Sequence, residues 1–177
     1  QATGSIITVN AHKVRLGEIP SVNESSKQSD LKDKLKDYYF LEESDQDKIV
    51  EKILLLNTER IPQRFELDPI KEIQVLTPMH RGITGASQLN RNLQEKINPD
   101  AKGIEHREQW FRVGDKIMQQ QNDYEKQVFN GDLGRVVDCD QDSRELYVKF
   151  DQSNIHYKSN ELDQLTLAYA ITVHKSQ

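Results

Sequence analysis

LTLAYAITVHKSQ, residues 165–177, decides how this chain folds. Leu165 to Val173 is an apolar run with the length of a buried strand. Thr172 to Gln177 then sets two hydroxyls, an imidazole, an ammonium and an amide in the loop that leaves it. A strand with its exit loop is an odd place for a chain to stop. Gln1 is not a Met, and QATGSIITVNAHKV passes straight into a structured-looking segment. Both ends read as cuts inside a fold.

Working outward, Ile6, Ile7, Val9, Ala11 and Val14 line one face of a short helix that ends near Gly17. Residues 18–30 are a polar loop, and DLKDKLKD over 30–37 is ambiguous. Tyr38 to Leu41 is aromatic and short, and reads as a strand. Ser44 opens a capping box with Asp47, and Ile49, Ile53 and Leu56 mark a helix from about 45 to 59. Glu72 to Leu76 is a strand stopped by Thr77-Pro78. Leu89, Leu93 and Ile97 mark a helix ended by Asn98-Pro99. This alternation of helix and strand implies an α/β fold with a parallel sheet.

The texture changes after Asp100. Short strands are expected around Phe111–Met118, Arg135–Val137, Glu145–Phe150 and Ile155–Tyr157, with an Asn130-Gly131 hairpin and a turn at Asp140–Ser143. Residues 108–163 therefore read as a small β-barrel inserted into an α/β part formed by 1–107 and 164–177.

The chain has 177 residues, 35% of them hydrophobic and 30% charged, which suits a globular domain. No apolar run approaches the roughly 20 residues of a membrane helix, and nothing resembles a signal peptide. Cys139 is the single cysteine, so an internal disulfide is excluded and a reducing cytoplasm is expected. The five histidines are scattered without ligand spacing, and no metal site is expected. The net charge of −5 argues mildly against nucleic acid. Residues 31–68 hold seven basic and ten acidic side chains, however, which leaves 17 and 19 elsewhere, so most of the acid excess sits in one stretch.

No Gly-x-x-x-x-Gly-Lys-Ser/Thr loop, Gly-x-Gly-x-x-Gly fingerprint or nucleophile elbow is present. Cys139 sits in the acidic turn DCDQD, where a thiolate is disfavoured. Three clusters remain. Leu76 to Gly82 is a strand end opening into a loop, where Thr77 and Arg81 suit contact with phosphates. Val128 to Gly134 is explained by its Asn-Gly turn alone. In Thr172-Val173-His174-Lys175-Ser176-Gln177, the hydroxyls of Thr172 and Ser176 can donate to phosphate oxygens. Lys175 supplies charge there, and His174 can stack or donate.

Ala168 to Gln177 resembles the fifth motif of superfamily-one helicases, and is most similar to the RecD-like group, related to exodeoxyribonuclease V alpha subunits. Ile73 to Gly82, with Leu89-Asn90, Leu93-Gln94 and Asn98-Pro99, resembles a stretch of that group's second motor domain. Arg112 to Gln119, Asn122-Asp123-Tyr124 and Phe129 to Gly134 resemble its inserted SH3-like barrel. Gln1-Ala2, Ser5 to Ile7 and Asn10 to His12 resemble its early segment. The resemblance implies a RecA-like second motor domain with an SH3-like insertion, and a missing first motor domain that holds ATP and Mg2+. The continuation of the fifth motif, the arginine of the sixth and the arginine expected before Gln1 are absent, so no complete catalytic set and no bound cofactor are expected here.

The implied work is that of an ATP-dependent 5′-to-3′ DNA helicase, inactive as this piece alone. Thr172, His174, Lys175 and Ser176 would hold single-stranded DNA, with Thr77 and Arg81 nearby and Lys116, Asn122 and Tyr124 flanking the path from the barrel. Gln177 would couple grip to nucleotide state. Implied partners are single-stranded DNA, the missing motor domain and other exodeoxyribonuclease subunits, with no membrane. Two rivals remain: a non-catalytic protein-docking adaptor acting through the barrel, and the motor part of a conjugative relaxase-helicase.

Overall fold

The computed structural model describes residues 6–20, 38–151 and 153–175, which fall into two compact units, 1–43 and 44–177. In the first, helix α1 spans Ile6–Arg15 and ends where Gly17 takes a positive φ of 78°, as expected, but Ile7, Val9 and Val14 of the expected apolar face are exposed and Asn10 is its buried residue. The strand expected at Tyr38–Leu41 is absent. Tyr39, Phe40 and Leu41 are exposed and pair with no other strand, so aromatic propensity had no ladder to join. Residues 31–37, Ser176 and Gln177 lie outside the described residues.

In the second unit, α2 spans Gln46–Leu55. Its cap is Asp45, one residue beyond the expected Ser44. The Asp45 carboxylate accepts from Asp47 N at 3.0 Å and Lys48 N at 3.2 Å. The helix widens into a π-turn, Leu56–Arg60, and continues as α3, Ile61–Phe65, with Pro62 tolerated in its first turn. Strand β1, Val75–Thr77, leads through a tight loop into α4, Ala86–Ile97, which ends before Asn98-Pro99 as expected.

The remaining chain is largely antiparallel. Strands β2 (Gly103–His106) and β3 (Gln109–Arg112) form a hairpin. Strands β4 (Lys116–Gln119), β5 (Leu133–Asp140), β6 (Glu145–Phe150), β7 (Ser153–Tyr157) and β8 (Leu165–Leu167) form a sheet in the order β7-β6-β5-β4-β8. β6 shows the alternation that betrayed it, with Leu146, Val148 and Phe150 inward. β5 carries a bulge between Val136 and Asp138, which leaves Val137 facing out.

The stretch read as one strand is two. Leu165–Leu167 pairs antiparallel with β4, and after a break at Ala168-Tyr169 the chain enters β9, Ala170–Thr172, which pairs parallel with β1. Among the described residues β1–β9 is the one parallel pair. The expected RecA-like parallel sheet is thus not formed by these residues; they give a mixed fold of helices and mainly antiparallel strands. Leu89 and Leu93 of α4 are fully buried and share one core with Ile117, Leu146, Val148, Tyr157 and Leu167 of the sheet. Each such leucine contributes about 1.5–3 kcal/mol.

Candidate nucleic-acid interface

The parallel register sets Thr77 beside Thr172, so the carboxyl ends of β1 and β9 lie together. Thr77 is buried, and its hydroxyl donates to Thr84 O at 2.8 Å. That hydroxyl closes the loop between β1 and α4 rather than facing a ligand. Ala86 N and Ser87 N complete the closure by donating to Met79 O and His80 O. Gly85 is required here, because a Cβ would stand 2.5 Å from the Arg81 carbonyl carbon and oxygen. Gly85→Ala is expected to destabilise the fold by about 1–3 kcal/mol; urea unfolding reads it, and an unchanged midpoint would refute the tight closure. Arg81, exposed on this loop, lines a cavity of about 690 Å³ with Asp47, Glu51 and Ser87.

A second cleft, of about 580 Å³, brings three lysines together: Lys71, Lys116 and Lys175. Glu72 and Asp132 share its lining, and Lys71 Nζ also lies 3.8 Å from Asp68 Oδ2. Lys175 Nζ donates to Asn130 Oδ1 at 2.6 Å. Asn130 N donates to Asn122 Oδ1 at 2.9 Å, and Asn122 Nδ2 lies 3.5 Å from Tyr124 Oη. Tyr124 is 76% exposed and meets Phe129 edge-on at 5.9 Å. The expected Asn-Gly hairpin is in fact the foot of a longer loop between β4 and β5. Gly131, at φ 100°, turns the chain there so that its N–H reaches Gln119 O.

Lys116 reaches only Ile73 O, at 3.4 Å, and burial pushes its ammonium below the ordinary lysine value of 10.5. The folded chain therefore sheds this proton before the unfolded chain does, and the penalty of holding the charge lessens as pH rises toward 10.5. Lys116→Met is expected to raise Tm by about 2 °C at neutral pH, with a gain that shrinks in alkali. Melting curves across pH check this, and a Tm lowered at pH 7 would contradict it.

Asp115, which precedes Lys116 in the chain, centres a buried polar network. Asp115, fully buried, accepts from Tyr169 Oη and Asn98 Nδ2 on one oxygen, both at 2.8 Å. Its other oxygen accepts from Gln94 Nε2 at 2.5 Å and Arg112 N at 2.7 Å. Burial lifts its pKa above the ordinary 3.8, and the four donors oppose that lift. Asn90 donates to Leu167 O and Ala170 O and accepts from Ala170 N, spanning the strand break. Gln74 Nε2 donates to Ala168 O and Tyr169 O at 3.2 and 3.1 Å.

The structure thus gathers Lys116 and Lys175 in one cleft and joins Asn122 and Tyr124 to it through Asn130. It seats Arg81 on a different cavity and buries Thr77. Thr172 is half-buried and His174 exposed, and neither lines the cleft. Asn130, Lys71 and Asp115 were missed by sequence reasoning: an Asn-Gly pair is fully explained by a turn, and a surface lysine or a Gly-Asp pair carries no marker of its surroundings. Among the described residues no group of three His, Cys, Asp or Glu side chains could hold a metal ion, and no helix is long and apolar enough to cross a membrane.

Residues 89–150 match the family described as the ATP-dependent RecD-like DNA helicase SH3 domain. Over 105 residues the chain is 41% identical to the ATP-dependent RecD2 DNA helicase of Deinococcus radiodurans, which covers 59% of this chain and 14% of that relative. The chain therefore spans a small part of the curated relative it matches. Among solved structures, Pif1 of Bacteroides sp in complex with ADP-AlF4 is similar at a TM-score of 0.44 and 19% identity, over 77% of this chain and 41% of that one. Bacteroides Pif1 bound to single-stranded DNA is similar at a TM-score of 0.39 and 18% identity, over 79% and 42%.

Proposed function

We propose that this chain is a segment of a RecD-like ATP-dependent DNA helicase, and that the cleft of Lys71, Lys116 and Lys175 takes the phosphates of single-stranded DNA. The observation that carries this is that three lysines, from three separate parts of the chain, line one open cleft, Lys71 lying also 3.8 Å from Asp68 Oδ2. The exposed Tyr124–Phe129 pair, linked to the cleft through Asn122 and Asn130, offers faces for bases to stack on. The 105-residue match to a RecD2 helicase supports the reading.

Within it, residues 1–107 and 164–177 belong to the second motor domain and 108–163 to an SH3-like barrel. Translocation runs 5′-to-3′ and the parent is cytoplasmic. The sequence holds no Gly-x-x-x-x-Gly-Lys-Ser/Thr loop to cradle the phosphates of ATP, and among the described residues no group of three His, Cys, Asp or Glu side chains could hold Mg2+. Both would be held by the first motor domain, and no hydrolytic step is assigned to these residues. That domain and exodeoxyribonuclease subunits are the protein partners expected.

The test is ATP hydrolysis by the full-length protein with and without single-stranded DNA. Strong stimulation by DNA is expected. A folded protein that hydrolyses nothing in either condition would overturn the reading. It would also move weight to a protein-docking adaptor, which the outward Leu133, Val137 and Tyr147 of the sheet favour.

A further inference from the structure

We infer that Asp115 and Tyr169 are positioning residues, which set where Lys175 meets the Asn130 loop by holding the strand break between β8 and β9. The inference rests on the reading of the lysine cleft as the DNA site.

The break needs holding. At Ala168-Tyr169 the chain leaves one sheet for another, and although Ala168 N donates to Lys116 O and Tyr169 O accepts from Val75 N, the other polar groups there need further partners. Here they are met by amide side chains from elsewhere: Asn90 takes Leu167 O and both polar groups of Ala170, and Gln74 takes Ala168 O and Tyr169 O. The tyrosine in the break then points its hydroxyl at Asp115.

Asp115 is an unusual choice for a buried site. Four donors converge on it, and among the described residues no salt bridge gives it a counter-cation. A carboxylate is the one side chain that accepts at all these sites without donating. Apolar packing would hold a core with less desolvation, so a buried ion is a mark of a specified arrangement. Its four donors come from α4 and the residue that caps its end (Gln94 and Asn98), from the end of β3 (Arg112) and from the break (Tyr169). One carboxylate thus fixes three pieces of chain relative to one another.

The second tie lies at the opposite end of β4. Gln119 ends that strand, its carbonyl accepts from Gly131 N, and Asn130 beside it accepts from Lys175. Asp115 immediately precedes β4 and Gln119 closes it. The segment from Tyr169 to Lys175 is therefore pinned at both ends against the same short strand. Loosening the Tyr169 end lets residues 170–175 shift against Asn130 and misplaces the lysine.

The test uses the full-length protein and an oligothymidylate. Tyr169→Phe removes one hydroxyl and keeps the ring. It is expected to speed amide hydrogen exchange at residues 170–175 and to raise the DNA concentration for half-maximal stimulation of ATP hydrolysis about 10-fold. Lys175→Ala does the latter too, and the double variant is expected to be no worse than Lys175→Ala alone, because both act through the same contact. Additive losses in the double variant would overturn the inference, since they would show Tyr169 acting independently of Lys175. So would unchanged exchange at 170–175 in Tyr169→Phe. Gln94→Met, which removes a different donor to Asp115, is held to the same two outcomes if Tyr169→Phe does not fold. A wild type without DNA stimulation defeats the functional reading itself. The exchange measurement still decides whether the network orders the segment.

Discussion

Asp115→Ala is expected to lower the free energy of unfolding by about 2–4 kcal/mol. The methyl group leaves Tyr169 Oη, Asn98 Nδ2, Gln94 Nε2 and Arg112 N pointing into a space closed to water. Each abandoned donor costs about 1–3 kcal/mol, less where a neighbour can turn to meet it. Gln94 keeps Trp110 O and Asn98 keeps Val113 O, so the loss is below the simple sum. Against a typical total of about 5–15 kcal/mol this is a large fraction. Asp115→Asn should cost less, because one oxygen and its two donors survive. Urea unfolding of both variants measures the difference; a loss below about 1 kcal/mol for Asp115→Ala would mean that the network contributes little.

Lys175→Ala is expected to weaken the response to single-stranded DNA at least 10-fold while leaving Tm within about 2 °C. A charge-assisted hydrogen bond to phosphate is worth about 1.5–3 kcal/mol, and about 1.4 kcal/mol is a decade in affinity. The side chain is only partly buried, and among the described residues its hydrogen-bond partner is the side chain of Asn130, so the fold loses little. Loss of one phosphate contact should also flatten the slope of log affinity against log salt by about 0.7. Lys175→Arg should retain most of the response. A weakened response with the salt slope intact would assign Lys175 to loop placement rather than to phosphate contact.

The legible parts of the chain were those whose neighbours share a face. Leu89, Leu93 and Ile97 recur every four residues, and the Asn98-Pro99 stop made the end of α4 plain. Alternation gave away β6 in the same manner. The division of 165–172 between two sheets was hidden, because both halves are buried and equally apolar. What marks the break is Asn90 and Gln74, roughly 80 and 95 positions away in the chain. Tyr38 to Leu41 misled because propensity for a strand does not supply a partner. For the site, Lys175 stood out by its dense polar neighbourhood. Asn130 did not, since its turn was explanation enough, and Thr77 looked available until its hydroxyl was found bonded within its own loop.

The sharing of one core between α4 and the five-stranded sheet has a bearing on transplantation. A cassette cut at residues 108 and 163 would leave behind β8, the neighbour that covers one edge of β4, and the two leucines of α4 that fill the space beneath. Its bare β4 edge would offer unpaired N–H and C=O groups to any passing copy. A graft into another protein would need to begin at Ala86 and run through Leu167, carrying its helix as ballast. For the same reason, a lineage could not gain or shed the β-rich part without rebuilding the helix that precedes it.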